Sequence, residues 1–381
     1  MIYLDHAATT KISPAARDAM LTAMEHSYGN PSSLHALGQQ ASAVLDRARE
    51  SIARQLGASP REIYFTSGGS EGDNQAILTG AKNGASAGKR HIVSTAMEHH
   101  AVLHTLEALE QQGFSVTYLK PDREGRISPE QLEEALRPDT ALVSVMYVNN
   151  ETGSIQPIRE LSKVCRWHEI PFHTDAVQAV GHIPVDVKAD GVDFLTLSGH
   201  KFHGPRGIGA LYVRRGIRLQ SLIYGGGQER GKRAGTENVP AIVGMAAALE
   251  EETAQLKKHM EYVEGLRNAL VTGLREIPHA YLNESPDHHA PGIVNVSFEG
   301  IEGESLLLLL DGAGICASAG SACSAGSLEP SHVLLSMGVP REIAQGSLRL
   351  SLDHSNNIEE IEIALREIGA VVQRLRNMRR R

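Results

Sequence analysis

Helical and strand-like segments alternate along most of this chain, and this alternation restricts the fold more than any other feature of the sequence. A helical pattern covers residues 35–56, a short apolar run follows at 62–65, and a second helical pattern at 71–82 precedes a strand-like segment at 91–93. Such alternation predicts parallel strands connected by helices. We therefore expect an α/β fold in which helices flank both faces of a mostly parallel sheet.

The pattern changes near residue 240, which predicts a second region of different architecture. One long helical stretch runs to residue 274, a strand-like segment follows at 293–298, and a helix at 358–376 closes the chain. With 381 residues the chain is long enough for two domains. A smaller α+β region is therefore expected beside the large sheet.

We place the boundary of the two domains just after residue 245. The large domain is expected to cover residues 15–245, and the small domain to combine residues 1–14 with residues 246–381. The small domain would carry a mobile loop at about residues 317–330, because this segment consists mainly of small residues.

Composition and charge exclude several classes of function. Lys and Arg number 37 against 45 Asp and Glu, and the resulting net charge of −8 disfavours nucleic acid as a partner. No apolar run approaches the roughly 20 residues of a membrane helix. The first residues lack the pattern of a signal peptide, so a cytoplasmic location is expected.

The segment 62–71 combines a strand, a Gly/Ser turn and the start of a helix. Backbone N–H groups at such a helix start, here around Gly69 and Ser70, favour an anion such as phosphate. An alternative remains open at this point, because Ser70 and Asp73 could simply cap the helix.

Two further strand ends carry reactive side chains. Asp175 ends the strand at 171–175, where ligands bind in open α/β sheets, and its carboxylate could keep a ring nitrogen protonated. A simple capping role for Asp175 remains the alternative. Lys201 follows the strand at 192–197 with Ser198 and His200 beside it, a setting that suits a Schiff-base amine.

Together these three strand ends offer a phosphate site, a partner for a ring nitrogen and an amine for an aldehyde. Pyridoxal 5'-phosphate is the common cofactor that needs all three groups. The order of the three segments on a parallel sheet therefore predicts a site for this cofactor.

The three cysteines are not equivalent. Cys165 lies within a helical pattern and Cys316 follows an apolar segment, so both are expected to be structural. Cys323 lies among small residues at 317–327, where a single thiol on a flexible segment is expected to be reactive. No CxxC pair or zinc motif includes it.

His99, His100 and His104 do not form part of a recognisable metal site, because no second cluster with ligand spacing completes one. His99 is instead expected to enter the cofactor cleft. Asn150 follows another buried strand. Arg349 lies in an apolar strand and needs a carboxylate partner, which is either an acidic residue of the chain or the carboxylate of an amino-acid substrate.

The chain resembles the cysteine desulfurases of NifS and IscS type, which are class V aminotransferase-like enzymes of fold-type I. The resemblance extends over nearly the whole chain. It rests on eight short motifs, at residues 3–10, 29–35, 66–71, 149–153, 173–178, 198–201, 233–237 and 320–332.

The resemblance implies a homodimeric pyridoxal-phosphate enzyme. Lys201 would bind the cofactor aldehyde covalently, Asp175 would pair with the ring nitrogen, and Gln178 would bond the ring hydroxyl. His99 would stack on the ring and assist proton transfer. The phosphate contacts would be Gly69, Ser70, Ser198 and His200, with Thr236 donated by the other subunit.

The resemblance also implies the reaction. Asn150, Arg349 and Asn30 match cofactor and substrate contacts, and Cys323 matches the residue that accepts sulfur as a persulfide. Similar enzymes convert L-cysteine to L-alanine and deliver the sulfur to an iron–sulfur scaffold or another acceptor protein.

Two other functions remain open from the sequence. One is a selenocysteine lyase, or another lyase or aminotransferase with the same cofactor, and the other is a sulfur-carrier or assembly protein with structural pyridoxal phosphate. Two departures from the family pattern are a Ser at position 70, where Thr is common, and a short carboxyl end, which favours the NifS-like branch.

Overall fold

The computed structural model of the protein describes residues 1–319 and 329–379. The strands within these residues are β1 (Ile2–Tyr3), β2 (Ile63–Thr66), β3 (His91–Thr95), β4 (Ser115–Leu119), β5 (Thr140–Ser144), β6 (Phe172–Asp175), β7 (Phe194–Ser198), β8 (Gly209–Val213), β9 (Ala280–Leu282), β10 (Ile293–Phe298), β11 (Ile315–Cys316) and β12 (Ser347–Ser351).

The helices are α1 (Pro14–His26), α2 (Ala36–Gln55), α3 (Gly69–Ser86), α4 (His100–Glu110), α5 (Pro129–Ala135), α6 (Ile158–Trp167), α7 (Val187–Asp190), α8 (Gln228–Gly231), α9 (Val239–Arg275), α10 (Gly303–Gly312), α11 (His332–Ser336), α12 (Arg341–Ala344) and α13 (Ile358–Arg379). Short 3-10 turns cover Pro60–Glu62 and Gly199–Lys201.

A seven-stranded sheet in the order β2-β8-β7-β6-β5-β3-β4 forms the centre of the fold. The strands from β7 to β4 are parallel, and β8 is antiparallel to both of its neighbours. Every residue of β3, β5, β6 and β7 is buried. The expected α/β fold with a mostly parallel sheet is confirmed, whereas the patterning did not single out β8.

Local sequence signals set where several helices begin. Helix α1 has Pro14 at its first position, and the Ser13 hydroxyl accepts a hydrogen bond from the Ala16 N–H at 3.1 Å. Helix α9 begins in the same way, with Asn238 accepting from the Ala241 N–H at 3.2 Å. Because these caps satisfy N–H groups that lack helical partners, they fix the starting residues.

Helix α3 packs very closely on the sheet. A Cβ atom added at Gly84 would lie 2.3 Å from the Cβ of Ala141, and one added at Gly80 would lie 2.8 Å from a methyl group of Leu142. Both of these neighbours belong to β5. Glycine therefore lets α3 approach the sheet, and its first turn lies at the edge where β2 and β7 end.

A second sheet, in the antiparallel order β12-β10-β9, has its own hydrophobic core with α9, α10 and α13. Helix α9 contributes to both cores, with residues up to Leu249 in the first and residues from Val263 in the second. The expected boundary after residue 245 lies inside this helix, and the division into domains stays a prediction.

The first residues of the chain connect these regions. Strand β1 pairs in parallel with β11, and Asp5 forms a bridge with Ser351 of β12. Further along, the N–H of Thr10 donates to the carbonyl of His200, at the end of the large sheet. Among the helices of the described residues, none has the length and apolar character needed to cross a membrane.

The close approach of α3 generates a stability prediction. Gly84→Ala should lower the unfolding free energy by about 1–3 kcal/mol, because the added methyl group overlaps Ala141. The measurement is urea denaturation followed by circular dichroism. Gly265→Ala in α9 is the matched control, because no atom lies within 4 Å of its added Cβ. It should leave stability unchanged or raise it by up to about 1 kcal/mol. Equal effects of the two substitutions would contradict the packing argument.

Candidate active site

A cleft opens at the edge of the large sheet where the parallel strands end. Most of the residues expected to form the site line it. They are Gly69, Ser70, His99, Asn150, Asp175, Gln178, Ser198, His200, Lys201 and Arg349.

Two expected site residues, Asn30 and Thr236, are not brought into this cleft within the chain. Asn30 and Thr236 are exposed, and neither lines the cleft. The side-chain oxygen of Asn30 instead accepts from the N–H of Ser32 at 2.9 Å. Cys323 lies outside the described residues.

Lys201 occupies the turn directly after β7, and its amine reaches into the cleft. The Nζ donates hydrogen bonds to the carbonyl oxygens of Ala7 at 2.6 Å and Ala8 at 2.9 Å. The same Ala7 oxygen accepts from Nε2 of Gln178 at 2.8 Å. The N-terminal segment therefore positions both cleft residues.

Asp175 ends β6 and is only 6% exposed. Burial, reinforced by the nearby charge of Asp73, raises the pKa of the Asp175 carboxyl to about 7. One of its oxygens accepts from the N–H of Val177 at 2.9 Å, so the capping role is real as well. A buried carboxyl with a raised pKa is a suitable partner for a positively charged group.

The other side of the cleft has the features of an anion site. Gly68 is the N-cap of α3, with φ 157° and ψ −173°, a conformation essentially open only to glycine. It offers no side-chain cap, so the N–H groups of the first turn, at Gly69 and Ser70, remain available. The alternative of a Ser70 and Asp73 cap is wrong, because the N-cap is Gly68 and Ser70 itself lies inside the helix.

His99 is the N-cap of α4 and presents a neutral imidazole. Its Nδ1 accepts from the N–H of Ala101 at 3.1 Å, which leaves the ring hydrogen on Nε2. Burial, with the nearby charge of Lys201, lowers the pKa of His99 to about 4.

His200 is a second histidine of the cleft whose pKa burial lowers to about 4. Its Nδ1 lies 3.2 Å from the Thr9 hydroxyl.

Arg349 lines the cleft although it is only 2% exposed. One of its terminal nitrogens donates to the Asp5 carboxylate at 2.9 Å, and the other donates to the carbonyl oxygen of Asn150 at 2.9 Å. Its Nε is buried and has no hydrogen-bond partner within residues 1–319 and 329–379. The chain thus supplies one carboxylate partner, at Asp5, for an arginine that lines the cleft.

Sequence reasoning missed two other buried acids of the cleft, Glu98 and Glu151. One oxygen of Glu98 accepts from the Met146 N–H at 2.9 Å and from the Thr95 hydroxyl at 2.8 Å. Burial raises the pKa of Glu98 to about 8, and it also raises the pKa of Glu151, which accepts a short hydrogen bond from Ser331. The position of Glu98 beside His99, between a strand and a helix, was the available signal.

Comparison with known proteins gives a consistent assignment. The profile of the family described as Aminotransferase class-V matches residues 2–363. A curated relative from Methanosarcina thermophila, named cysteine desulfurase IscS, is 51% identical over 377 residues, which cover 99% of this chain and 93% of the relative. A relative of the same name from Clostridium botulinum is 48% identical, with coverage of 99% and 96%.

Solved structures give the same result. A structure named NifS-like protein superposes with a TM-score of 0.92 at 40% identity, covering 98% of this chain and 99% of that one. A NifS-like protein from Rickettsia africae has a TM-score of 0.89 at 32% identity, with the same coverage. Because both the IscS and NifS names occur among these relatives, the NifS-like branch stays a prediction.

The raised pKa of Glu98 generates a prediction about pH. Between about pH 4.5 and 8 the folded chain binds a proton at Glu98 that the unfolded chain has lost, so this group makes stability fall as pH rises. Glu98→Gln removes the ionisation. From pH 5 to 8 the stability of the variant relative to the native protein should therefore rise, by roughly 1–4 kcal/mol.

Urea denaturation of the cofactor-free protein at several pH values measures this difference. Glu50→Gln, at an exposed position of α2, is the control and should show no such trend. A difference between Glu98→Gln and the native protein that does not change with pH would contradict the burial argument.

Proposed function

Because the chain belongs to the class V aminotransferase family and, within it, to the cysteine desulfurases, we propose that it releases L-alanine from L-cysteine with pyridoxal 5'-phosphate in the cleft and leaves the sulfur on Cys323. The observation that carries this proposal is the convergence of Lys201, Asp175 and the first turn of α3 in one cleft.

The residues of the cleft fit this cofactor. The Lys201 amine suits its aldehyde, the Asp175 carboxyl suits its ring nitrogen, and the free N–H groups at Gly69 and Ser70 suit its phosphate. The cleft also contains buried acidic oxygens of Asp73 and Glu98 that lack hydrogen-bond partners in the part of the chain described. A positive charge bound nearby would favour the ionised form of these acids, whose pKa values burial raises.

When bound, pyridoxal phosphate supplies an electron sink that makes the Cα proton of a bound amino acid easier to remove. Asp175 would keep the ring nitrogen protonated, since opposite charges favour each other's ionised form. Lys201 would accept or return the proton at the Cα of the substrate. His99 carries its ring hydrogen on Nε2 and would donate this proton to the bound substrate.

Arg349 would bind the carboxylate of the substrate. Its contacts with Asp5 and the Asn150 carbonyl hold the guanidinium in place where it lines the cleft. A fixed carboxylate orients the Cα of the substrate towards Lys201. Arg349 would thus bind both Asp5 of the chain and the carboxylate of the substrate.

Cys323 would receive the sulfur. As its thiolate attacks the substrate sulfur, an S–S bond forms and the Cβ–S bond breaks, and the electron pair left on carbon is protonated to give the alanine methyl group. Cysteine plus thiol therefore yields alanine plus persulfide, with no external oxidant. An iron–sulfur scaffold or another acceptor protein would then remove this sulfur.

An exposed threonine and two free thiols bear on the assembly and the location of the enzyme. The exposure of Thr236 leaves it available to the cleft of a second subunit, which supports a homodimer. Cys165 and Cys316 are free thiols, which is compatible with a reducing cytoplasm.

Substitution of Cys323 tests the proposed sulfur acceptor. Cys323→Ala should lower the rate of alanine formation from cysteine at least about 100-fold, because the nucleophile is lost, while the absorbance of the bound cofactor stays unchanged. Cys316→Ala, in β11, is the control and should keep its activity. Lys201→Ala should lose both the activity and the native cofactor absorbance. Full turnover by Cys323→Ala would reject Cys323 as the acceptor.

Arg349→Lys tests carboxylate binding in the same assay. Lysine keeps the charge but cannot bind a carboxylate through two parallel hydrogen bonds, so the KM for cysteine should rise about 10–100-fold with a smaller effect on kcat. An unchanged cofactor spectrum and Tm would show that the fold is intact. If KM stays the same in the intact variant, Arg349 serves only as the partner of Asp5.

A further inference from the structure

A second cavity lies beside the cofactor cleft and shares Ala7 and Gln178 with it. Imidazole and carboxylate groups make up much of its wall. We call them the histidine cluster, and they are His6, His182, His203, Glu252, His259, Asp353 and His354. None of these side chains has a part in the reaction proposed above.

Three members of the cluster have the arrangement of a metal site. One ligand atom each from His203, Glu252 and His354 lie within 4.8 Å of one another. His203 and Glu252 are buried, and His354 is partly buried. Two imidazoles and a glutamate form a known ligand set for zinc that leaves a fourth position open.

The neighbouring groups orient these ligands. Nδ1 of His203 lies 2.9 Å from the carbonyl oxygen of Lys11, which can only accept, so the hydrogen is on Nδ1 and Nε2 faces the cluster. Nδ1 of His259 lies 3.1 Å from a carboxylate oxygen of Glu252, and the His259 ring stacks on the ring of His354 at 4.0 Å. Such second contacts are typical of metal ligands.

The charges of the cluster also favour a cation. Glu252 and Asp353 bring two buried carboxylates to a wall otherwise formed largely by imidazoles. The Nε2 of His203 lies 3.2 Å from the Asp353 carboxylate, so an acidic oxygen lies beside this proposed ligand atom.

We propose that His203, Glu252 and His354 bind one divalent transition-metal ion of the zinc class. Nitrogen donors exclude a preference for Mg²⁺ or Ca²⁺, which favour oxygen ligands. The ion would connect the turn after β7, helix α9 and the loop after β12.

The position of this site suggests its effect. His203 is two residues from Lys201, and Nε2 of His182 lies 2.9 Å from the Lys201 carbonyl oxygen. A bound ion would therefore stabilise the segment that carries Lys201 without touching the cofactor cleft.

Isothermal titration of the tag-free, cofactor-loaded full chain with Zn²⁺, after removal of bound metals by a chelator, tests the proposal. One ion should bind per chain and raise the Tm, and Mg²⁺ should do neither. Glu252→Gln and His354→Ala should each weaken binding at least about 100-fold. His26→Ala is the control, because His26 is an exposed histidine beside a glutamate, at Glu25.

The thiol of Cys323 is the alternative binding site, and Co²⁺ absorption distinguishes it. Cys323→Ser should retain one ion per chain, and its Co²⁺ spectrum should lack the thiolate charge-transfer band. The absence of saturable binding to the native protein would overturn the proposal. Binding that is lost in Cys323→Ser but kept in Glu252→Gln would overturn it as well. This comparison holds even if another variant of the histidine cluster is unstable.

Discussion

The carbonyl oxygen of Ala7 is the point on which the arrangement of the cleft depends. It accepts hydrogen bonds from both Lys201 and Gln178, which are 194 and 171 residues away in sequence. The same segment contributes Asp5, the partner of Arg349 across 344 residues. Because these contacts join the start of the chain to the large sheet and to β12, the cleft can form only when both regions have folded.

Burial of charge is the second feature that gives the cleft its chemistry. Asp73, Glu98 and Asp175 are all nearly inaccessible, and burial raises the pKa of each of their carboxyl groups. Ionised carboxylates so close together destabilise the fold unless a positive charge compensates them. Their raised pKa values mean that bound protons offset this cost near neutral pH, and a cationic ring bound beside them would favour their ionised forms.

Much of the fold could be predicted from sequence because periodicity is a local property. Strand β10 has the predicted bounds, residues 293–298, and the strand-end positions of Asp175 and Lys201 follow from parallel pairing. The contact of Arg349 with Asp5 and the burial of Glu98 could not be predicted, because both depend on residues distant in sequence. The histidine cluster was missed for the same reason.

The most direct test of the account is to locate the bound cofactor chemically. After borohydride reduction of the purified protein, mass spectrometry of a proteolytic digest should find a pyridoxyl group on Lys201, at about one per chain. Absence of the label from protein supplied with pyridoxal phosphate, or its presence at a different lysine, would contradict the assignment of the cleft.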